Sequence, residues 1–411
     1  MYKNLIFSFY FVICFNLLLS AQDVQIIKGQ ITCSNDTIAI PYVHIGILGT
    51  GIGTVSNIKG DFELKGQFNI EKDTLMISHI EFEKKLIPIS ELVSDTIHIQ
   101  LKKSEYQLGE VIVLPDEKIN EIFKHVIENL KVNYPDKLYQ CEAFYREVQY
   151  ELKSKTNTLL IEAAINIQDG KITSPRSKIK CSVLQLRKSK NYTQEHWGSK
   201  LMSKLFINYN QLYYLLRGNP TRCYKELLSK GDLYCNPIQW ASENKKGTLS
   251  LKCLIKKKDQ EIYVFQYDVG PELRFNFYIN KSDCAILQFD HELRNIQKQS
   301  YHFTKIDDKY FPSFFKSENI QSVLKDSKGL GMTISSLSFV NHNPNRKNFK
   351  RLRSKHVAIK DLELYDLKME YDENFWSSYN ILLDEPIDPK IISDLEQDKS
   401  LKTQFKENSN L

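Results

Sequence analysis

Along most of the chain, apolar and polar residues alternate with a period of two, the signature of half-buried strands. Val24–Thr32, Tyr42–Leu48, Thr74–Ile80 and Thr96–Leu101 read as short strands. In the second, Val43, Ile45 and Ile47 share a face; in the last, Ile97, Ile99 and Leu101 alternate with Thr96, His98 and Gln100. Turn chemistry separates them: Ser34-Asn35-Asp36-Thr37, glycines at 49, 51 and 53, and Asn57-Ile58-Lys59-Gly60 ahead of the strand Asp61-Phe62-Glu63-Leu64. Strands at this spacing with no helix between them predict an antiparallel β-sandwich over residues 22–114.

The period then changes. Over Asp116–Tyr134, Ile119, Ile122, Phe123, Val126, Ile127 and Leu130 recur at helical spacing between Pro115 and Pro135, which predicts a linking helix over 115–135. Strand alternation resumes in Glu142–Leu152, where Phe144, Arg146, Val148, Tyr150 and Leu152 share a face. It continues in Thr158–Ile167, Lys178–Arg187, Thr248–Ile255, Glu261–Tyr267, Leu273–Ile279, Ala285–His291 and Met332–Val340. Asn280-Lys281-Ser282-Asp283 is a hairpin turn. A helical insert over Ser199–Ser229 is broken at Gly218-Asn219-Pro220. The expectation is a mainly β chain: a sandwich, a larger curved antiparallel sheet over 136–360 with helical insertions, and a helical C-terminal tail over 361–411.

The first residues follow another rule. Met1-Tyr2-Lys3-Asn4 is a short positive start, Leu5–Leu19 carries no charge, and Ser20-Ala21 supplies small residues before Gln22-Asp23. This predicts a secretory signal peptide over 1–21, cleaved after Ala21, and hence an exported protein. No later stretch is apolar for long enough to span a bilayer. Cleavage removes Lys3 and Cys14, so the net charge of +6 becomes +5 and eight cysteines become seven. An odd number leaves at least one thiol unpaired within the chain. If any two pair, Cys223 and Cys235, which flank a small loop, are the first candidates; buried free thiols in strands are the favoured reading.

Several residue groups carry a family resemblance. The order Lys28-Gly29-Gln30-Ile31, Ile40-Pro41-Tyr42-Val43-His44-Ile45, Gly49 to Asn57 and Gly60-Asp61-Phe62-Glu63-Leu64 resembles the carboxypeptidase-regulatory-like domain. The resemblance implies a transthyretin-like sandwich, similar to the module preceding the plug of TonB-dependent outer-membrane receptors. Gln107-Leu108-Gly109-Glu110-Val111-Ile112-Val113 resembles the short strand that closes that module. The larger unit resembles uncharacterised exported proteins through Phe144-Tyr145-Arg146-Glu147, Ile161-Glu162-Ala163, Tyr310-Phe311-Pro312 and Phe375-Trp376-Ser377-Ser378-Tyr379-Asn380. Its repeated hairpins also resemble the curved sheets of periplasmic lipoprotein carriers. These resemblances imply a Gram-negative envelope, with the protein in the periplasm or at the outer membrane.

Candidate chemistry is sparse. His125-Val126-Ile127-Glu128 has the HxxE spacing of zinc carboxypeptidases, but both residues fall on the polar face of the predicted helix, and His196, His291 and His302 offer no obvious third ligand. His291-Glu292 lacks the second histidine of HExxH, and no GxSxG occurs. Glycine-dense Gly49-Thr50-Gly51-Ile52-Gly53 is followed by a strand, not by the helix a phosphate loop requires. Arg146 and Glu147 point to opposite faces of one strand, which suits cross-strand charge pairing. Lys256-Lys257-Lys258 reads as a solvated hairpin end. Arg346, Lys347, Lys350, Arg351, Arg353 and Lys355 form a basic patch suited to an anionic glycolipid or a partner protein, since export disfavours nucleic acid. The 47 aromatic residues (22 Tyr, 22 Phe, 3 Trp) fit β-core packing or a ligand surface. No catalytic, cofactor-binding or metal-ligating residue is assigned. The expectation is a non-enzymatic binding or assembly protein, peripheral to the membrane, serving nutrient uptake or envelope maintenance; the alternative is a hydrolase of peptide or glycan.

Overall fold

A computed structural model describes residues 25–57, 59–92, 94, 96–107, 114–170, 179–192, 211–222, 237–242, 247–294, 296–322, 330–343, 349, 352, 357–358, 364–379 and 389–408. The expected signal peptide, Cys14, His196, Cys223, Cys235, the basic patch at 346–355 and most of the helical insert lie outside these residues.

The front of the chain is a sandwich of two small sheets. One has the order β4-β1-β7, formed by β1 (Gln25–Cys33), β4 (Asp61–Gly66) and β7 (Ile97–Leu101). The other has the order β3-β2-β5-β6, formed by β2 (His44–Ile47), β3 (Gly53–Val55), β5 (Thr74–His79) and β6 (Phe82–Pro88). Alternation buries Ile31, Val43, Ile45, Leu64, Leu75 and Ile77 completely between them. Asn57 holds the turn: its side-chain oxygen accepts from the backbone N–H of Lys59 (2.8 Å) and of Asp61 (2.9 Å). Two details differ from expectation. β7 runs parallel to β1, with Gly29 opposite Ile97. β6 escapes the pattern because Glu83, Lys84 and Lys85 mask its alternation, which is how edge strands are protected.

The rest is built on one twelve-stranded antiparallel sheet of order β19-β11-β10-β9-β18-β17-β16-β15-β14-β13-β12-β8. Its strands are β8 (Glu105–Gln107), β9 (Tyr139–Glu151), β10 (Thr156–Asp169), β11 (Lys180–Lys188), β12 (Thr248–Lys256), β13 (Glu261–Val269), β14 (Leu273–Asn280), β15 (Ile286–Leu293), β16 (Gln297–Ile306), β17 (Lys309–Ser322), β18 (Leu330–Asn343) and β19 (Val357–Ala358). Of the stretch Gln107–Val113, expected to close the sandwich, only Gln107 is among the described residues, and it pairs with Leu254 at the large sheet's far edge. β16 and β17 were hidden by their Lys, Gln and Ser residues and by Pro312. That proline sits opposite Phe303 at a bulge, where a missing N–H is tolerated.

Helices cover one face, here called inner. α1 (Asp116–Asn133) buries Ile119, Ile122, Phe123, Val126 and Leu130 there, joined by α2 (Gln211–Arg217) and α3 (Pro237–Ser242). On the outer face, α4 (Glu373–Ser378), α5 (Pro389–Leu395) and α6 (Leu401–Asn408) cover β9–β11 through Trp376, Tyr379, Leu395, Leu401 and Phe405. No helix among the described residues is long and apolar enough to cross a membrane.

The sandwich is locked to the sheet through its glycine loop. His342 donates its backbone N–H to the Gly51 carbonyl (3.0 Å), and Ile52 bridges Asn341. A Cβ at Gly51 would strike the His342 backbone, so the loop's glycine permits docking. Tyr42 stacks on Phe314 at 4.5 Å, and the Lys257 ammonium enters the seam to reach the His79 carbonyl (2.7 Å). Lys257 is thus half-buried rather than fully solvated; burial lowers its pKa to about 8. Lys65 donates to the Tyr379 carbonyl (3.3 Å), tying the sandwich to the C-terminal tail as well.

Four histidines lie in this seam. Burial lowers His44 and His302 to about 4, and His79 and His342 to about 3. Unfolded histidine titrates near 6.5, so below that pH the unfolded chain takes up protons that the folded seam refuses. Stability should therefore be unaffected by these groups above pH 6.5 and fall as pH drops from 6.5 toward 3. At pH 5 the loss is about 2 kcal/mol per histidine, before other groups offset it. Urea denaturation at pH 7.5 and pH 5 checks this, and a flat profile would contradict it. Gly51→Ala should cost more than about 1 kcal/mol and speed amide exchange at the seam.

Candidate functional site

The quartet Phe144-Tyr145-Arg146-Glu147 lies in mid-β9, and strand alternation sends its side chains to opposite faces. On the outer face Arg146, Glu162 and Arg187 stand in line across β9, β10 and β11. The Glu162 carboxylate has no solvent exposure and accepts from Arg146 at 2.6 Å and Arg187 at 2.5 Å. Burial alone would push its pKa up; Arg187 and Arg146 outweigh that and hold it below the usual carboxylate range. Arg187 lies 4.6 Å from the Trp376 ring and 5.2 Å from Phe405, while Phe144 meets Trp376 edge-on. The expected cross-strand pairing of Arg146 holds, and it anchors the tail.

The inner face is organised in rows perpendicular to the strands. One row is apolar from end to end apart from two phenol hydroxyls: Tyr145, Leu337, Phe315, Tyr301, Phe289, Phe277, Phe265 and Leu251 are successive cross-strand neighbours from β9 to β12. The next row is polar over five strands: Glu147, Ser335, Ser317, Gln299 and His291. A third row repeats this with Gln149, Thr333, Asn319 and Gln297. Helix α2 lies over them: Asn319 donates to the Gln211 side-chain oxygen (3.0 Å), and Leu212, Leu215 and Leu216 join the core.

Glu147, Ser335, Ser317, His291 and Thr333 are buried, and Gln149, Gln297, Gln299 and Asn319 are half-buried. Burial raises the Glu147 pKa, only partly offset by hydrogen bonds from the Tyr145 hydroxyl (2.5 Å) and the Gln149 amide (3.0 Å). Among the described residues no cation pairs with Glu147. The Ser335 hydroxyl is fully buried and has no hydrogen-bond partner there. The Tyr301 hydroxyl donates to the Gln299 oxygen (3.1 Å), and the Gln299 amide reaches Ser317 (3.3 Å). His291 stacks on Phe275, and burial lowers its pKa to about 4. A band of hydrogen-bonding groups beside an aromatic band suits a ligand with a polar and an apolar part.

His125 and Glu128 lie on the exposed side of α1, paired with each other at 3.2 Å. His302 joins a seam array on the outer face. Ser300 donates to Asp290 (2.6 Å) and lies 2.8 Å from the His302 Nε2. In a hydrolytic triad the acid orients the imidazole; here it takes the serine hydroxyl itself. Among the described residues, no three or more His, Cys, Asp or Glu are grouped to hold a metal. Cys33, Cys141 and Cys181 are buried free thiols. Small clefts occur among the described residues. One, at the seam, includes His44, Met76, Lys305 and His342 in its wall. Another, between α1 and the inner face, is walled by residues such as Tyr134, Tyr139, Asp169 and Thr221. Sequence reading missed the polar rows; their only trace is Tyr145, Glu147 and Gln149 on the face opposite Phe144, Arg146 and Val148.

The CarboxypepD_reg-like domain family matches residues 27–113, the sandwich and the residues just after it. No curated protein matches the chain. Solved structures similar to the larger unit include a LolA superfamily protein from Nitrosomonas europaea (12% identity, 57% of this chain and 97% of that one, TM-score 0.23). A putative outer membrane lipoprotein-sorting protein domain from Vibrio parahaemolyticus matches at 10% identity, over 58% and 96%, with TM-score 0.26. The MucA/MucB complex of Pseudomonas aeruginosa matches at 6%, over 56% and 99%, with TM-score 0.17. Likeness at this level is too slight to assign a ligand.

Replacing Glu162 with leucine leaves two guanidiniums facing each other in a dry layer. The expected cost is about 3–5 kcal/mol in denaturant melts, with part of it recovered by adding Arg187→Met. Equal loss in the single and double variants would show that the charge pairing is not the cause.

Proposed function

We propose that the protein is an exported, non-enzymatic binding protein of a Gram-negative envelope, held in the periplasm or at the outer membrane without a spanning helix. One observation carries this reading: the inner face sets a row of acid, hydroxyl and amide groups (Glu147, Ser335, Ser317, Gln299), the first three of them buried, beside a continuous apolar row rich in aromatic rings. Burying a polar row is costly unless something is gained by it. In a binding protein the gain is recognition of the polar end of an amphiphile. The regulatory-like sandwich adds a docked module through which a partner protein or an envelope glycolipid engages the body. The working division is a signal peptide over 1–21, sandwich over 22–114, linking helix over 115–135, binding sheet over 136–360 and tail over 361–411.

The test is extraction of the protein from native envelope in mild detergent, followed by mass spectrometry of organic-solvent extracts and of co-purifying proteins. The expected result is a stoichiometric amphiphile that is depleted in Glu147→Gln and Ser335→Val variants of unchanged fold. Protein free of any amphiphile, with turnover of peptidoglycan or peptide substrates, would favour the hydrolase reading instead.

A further inference from the structure

The seam cleft has the donors and the room for one small soft cation. On β2, His44 and Gly46 share the face turned toward the large sheet. Gly46 pairs with Gly53 on β3 and with Met76 on β5, while His44 pairs with Ser78. Met76 is therefore diagonal to His44 on that face, a separation that long side chains bridge. The glycines make space for the ring: a Cβ at Gly46 would lie 3.0 Å from the His44 imidazole, and one at Gly53 3.1 Å. From the other side, the His342–Gly51 bond and the Ile52–Asn341 bridge press His342 against the same loop. His44, Met76 and His342 thus line one cleft, with room for about one water-sized particle.

The two imidazoles are poised as ligands. His342 is only 8% exposed, and neither ring nitrogen has a well-directed hydrogen bond, the Pro312 backbone carbonyl making only a weak contact with the ring. His44 has a single long contact from Nδ1 to the Thr304 hydroxyl (3.4 Å), and its Nε2 lies on the glycine side.

We propose that His44, Met76 and His342 form a binding site for monovalent copper. A thioether beside imidazoles selects a soft cation, whereas calcium and magnesium take oxygen donors and structural zinc takes thiolate, imidazole or carboxylate. Charge selects the same ion. All three donors are neutral, Lys305 lines the same cleft, and no carboxylate does so among the described residues. A divalent ion there would be buried without compensation. Two donors come from the sandwich and one from the sheet, so the ion links the two parts at their seam. This site is separate from the inner-face rows and stands or falls independently of them.

The purified mature protein should be titrated anaerobically with copper(I) in competition with bicinchoninate, with zinc(II) in parallel. One equivalent of copper should bind, and X-ray absorption should show sulfur and nitrogen in its shell. Met76→Leu conserves volume at a half-buried position and should keep the fold, checked by circular dichroism, while weakening copper binding at least tenfold. His342→Asn should weaken it further. The proposal is overturned if wild-type protein takes up no stoichiometric copper, if Met76→Leu binds as tightly as wild type, or if zinc is preferred.

Discussion

A carboxylate removed from water must be matched by charge, and Glu162 meets that requirement in a way that organises the second half of the molecule. It lies on β10 between Arg146 and Arg187, so the registers of β9, β10 and β11 are fixed by one ionic line as well as by their backbone ladders. Two guanidiniums bring more positive charge than one carboxylate cancels. The aromatic rings of Trp376, Phe405 and Phe144 supply the remaining electron density. Two of those rings come from the tail, so the tail is held by the excess charge of the cluster it covers.

Strong alternation made much of the architecture legible. The sandwich, α1, most large-sheet strands and the apolar character of the inner face follow from period-two and helical patterns. What escaped detection was set by other forces. β6 is an edge strand whose lysines guard it, and β17 carries a proline that a bulge absorbs. Gln107 pairs with β12 at the edge of the large sheet, a partner its local pattern does not reveal. The site was less legible still. Glu147 looks like any surface acid until the cross-strand order places Ser335 and Ser317 beside it. His44, Met76 and His342 come together only because a glycine loop docks far along the chain. The short motifs, by contrast, turned out to be packing: Phe144 and Arg146 serve the tail, Phe311 packs on Tyr139 and His342, and Trp376 caps Arg187.

The aromatic abundance resolves in the same way. Most of these rings form the inner-face core, in edge-on or tilted contact between neighbouring strands, as Tyr301 does with Phe289 and Phe315. They give a stiff apolar floor. Against it, the change to serine, glutamine and glutamate over five strands is abrupt, and buried position alone does not account for it.

Strand β9 has neighbours from opposite ends of the large unit: β10 follows it directly, whereas β18 arrives only with residues 330–343. Because β9 lies inside the sheet, its second ladder is incomplete until nearly the whole unit is available. Contacts of such long sequence separation make folding slow. A chain of this kind gains its final shape only once its last strands are available to pair. The position of one pairing thus makes late folding an intrinsic property of the topology.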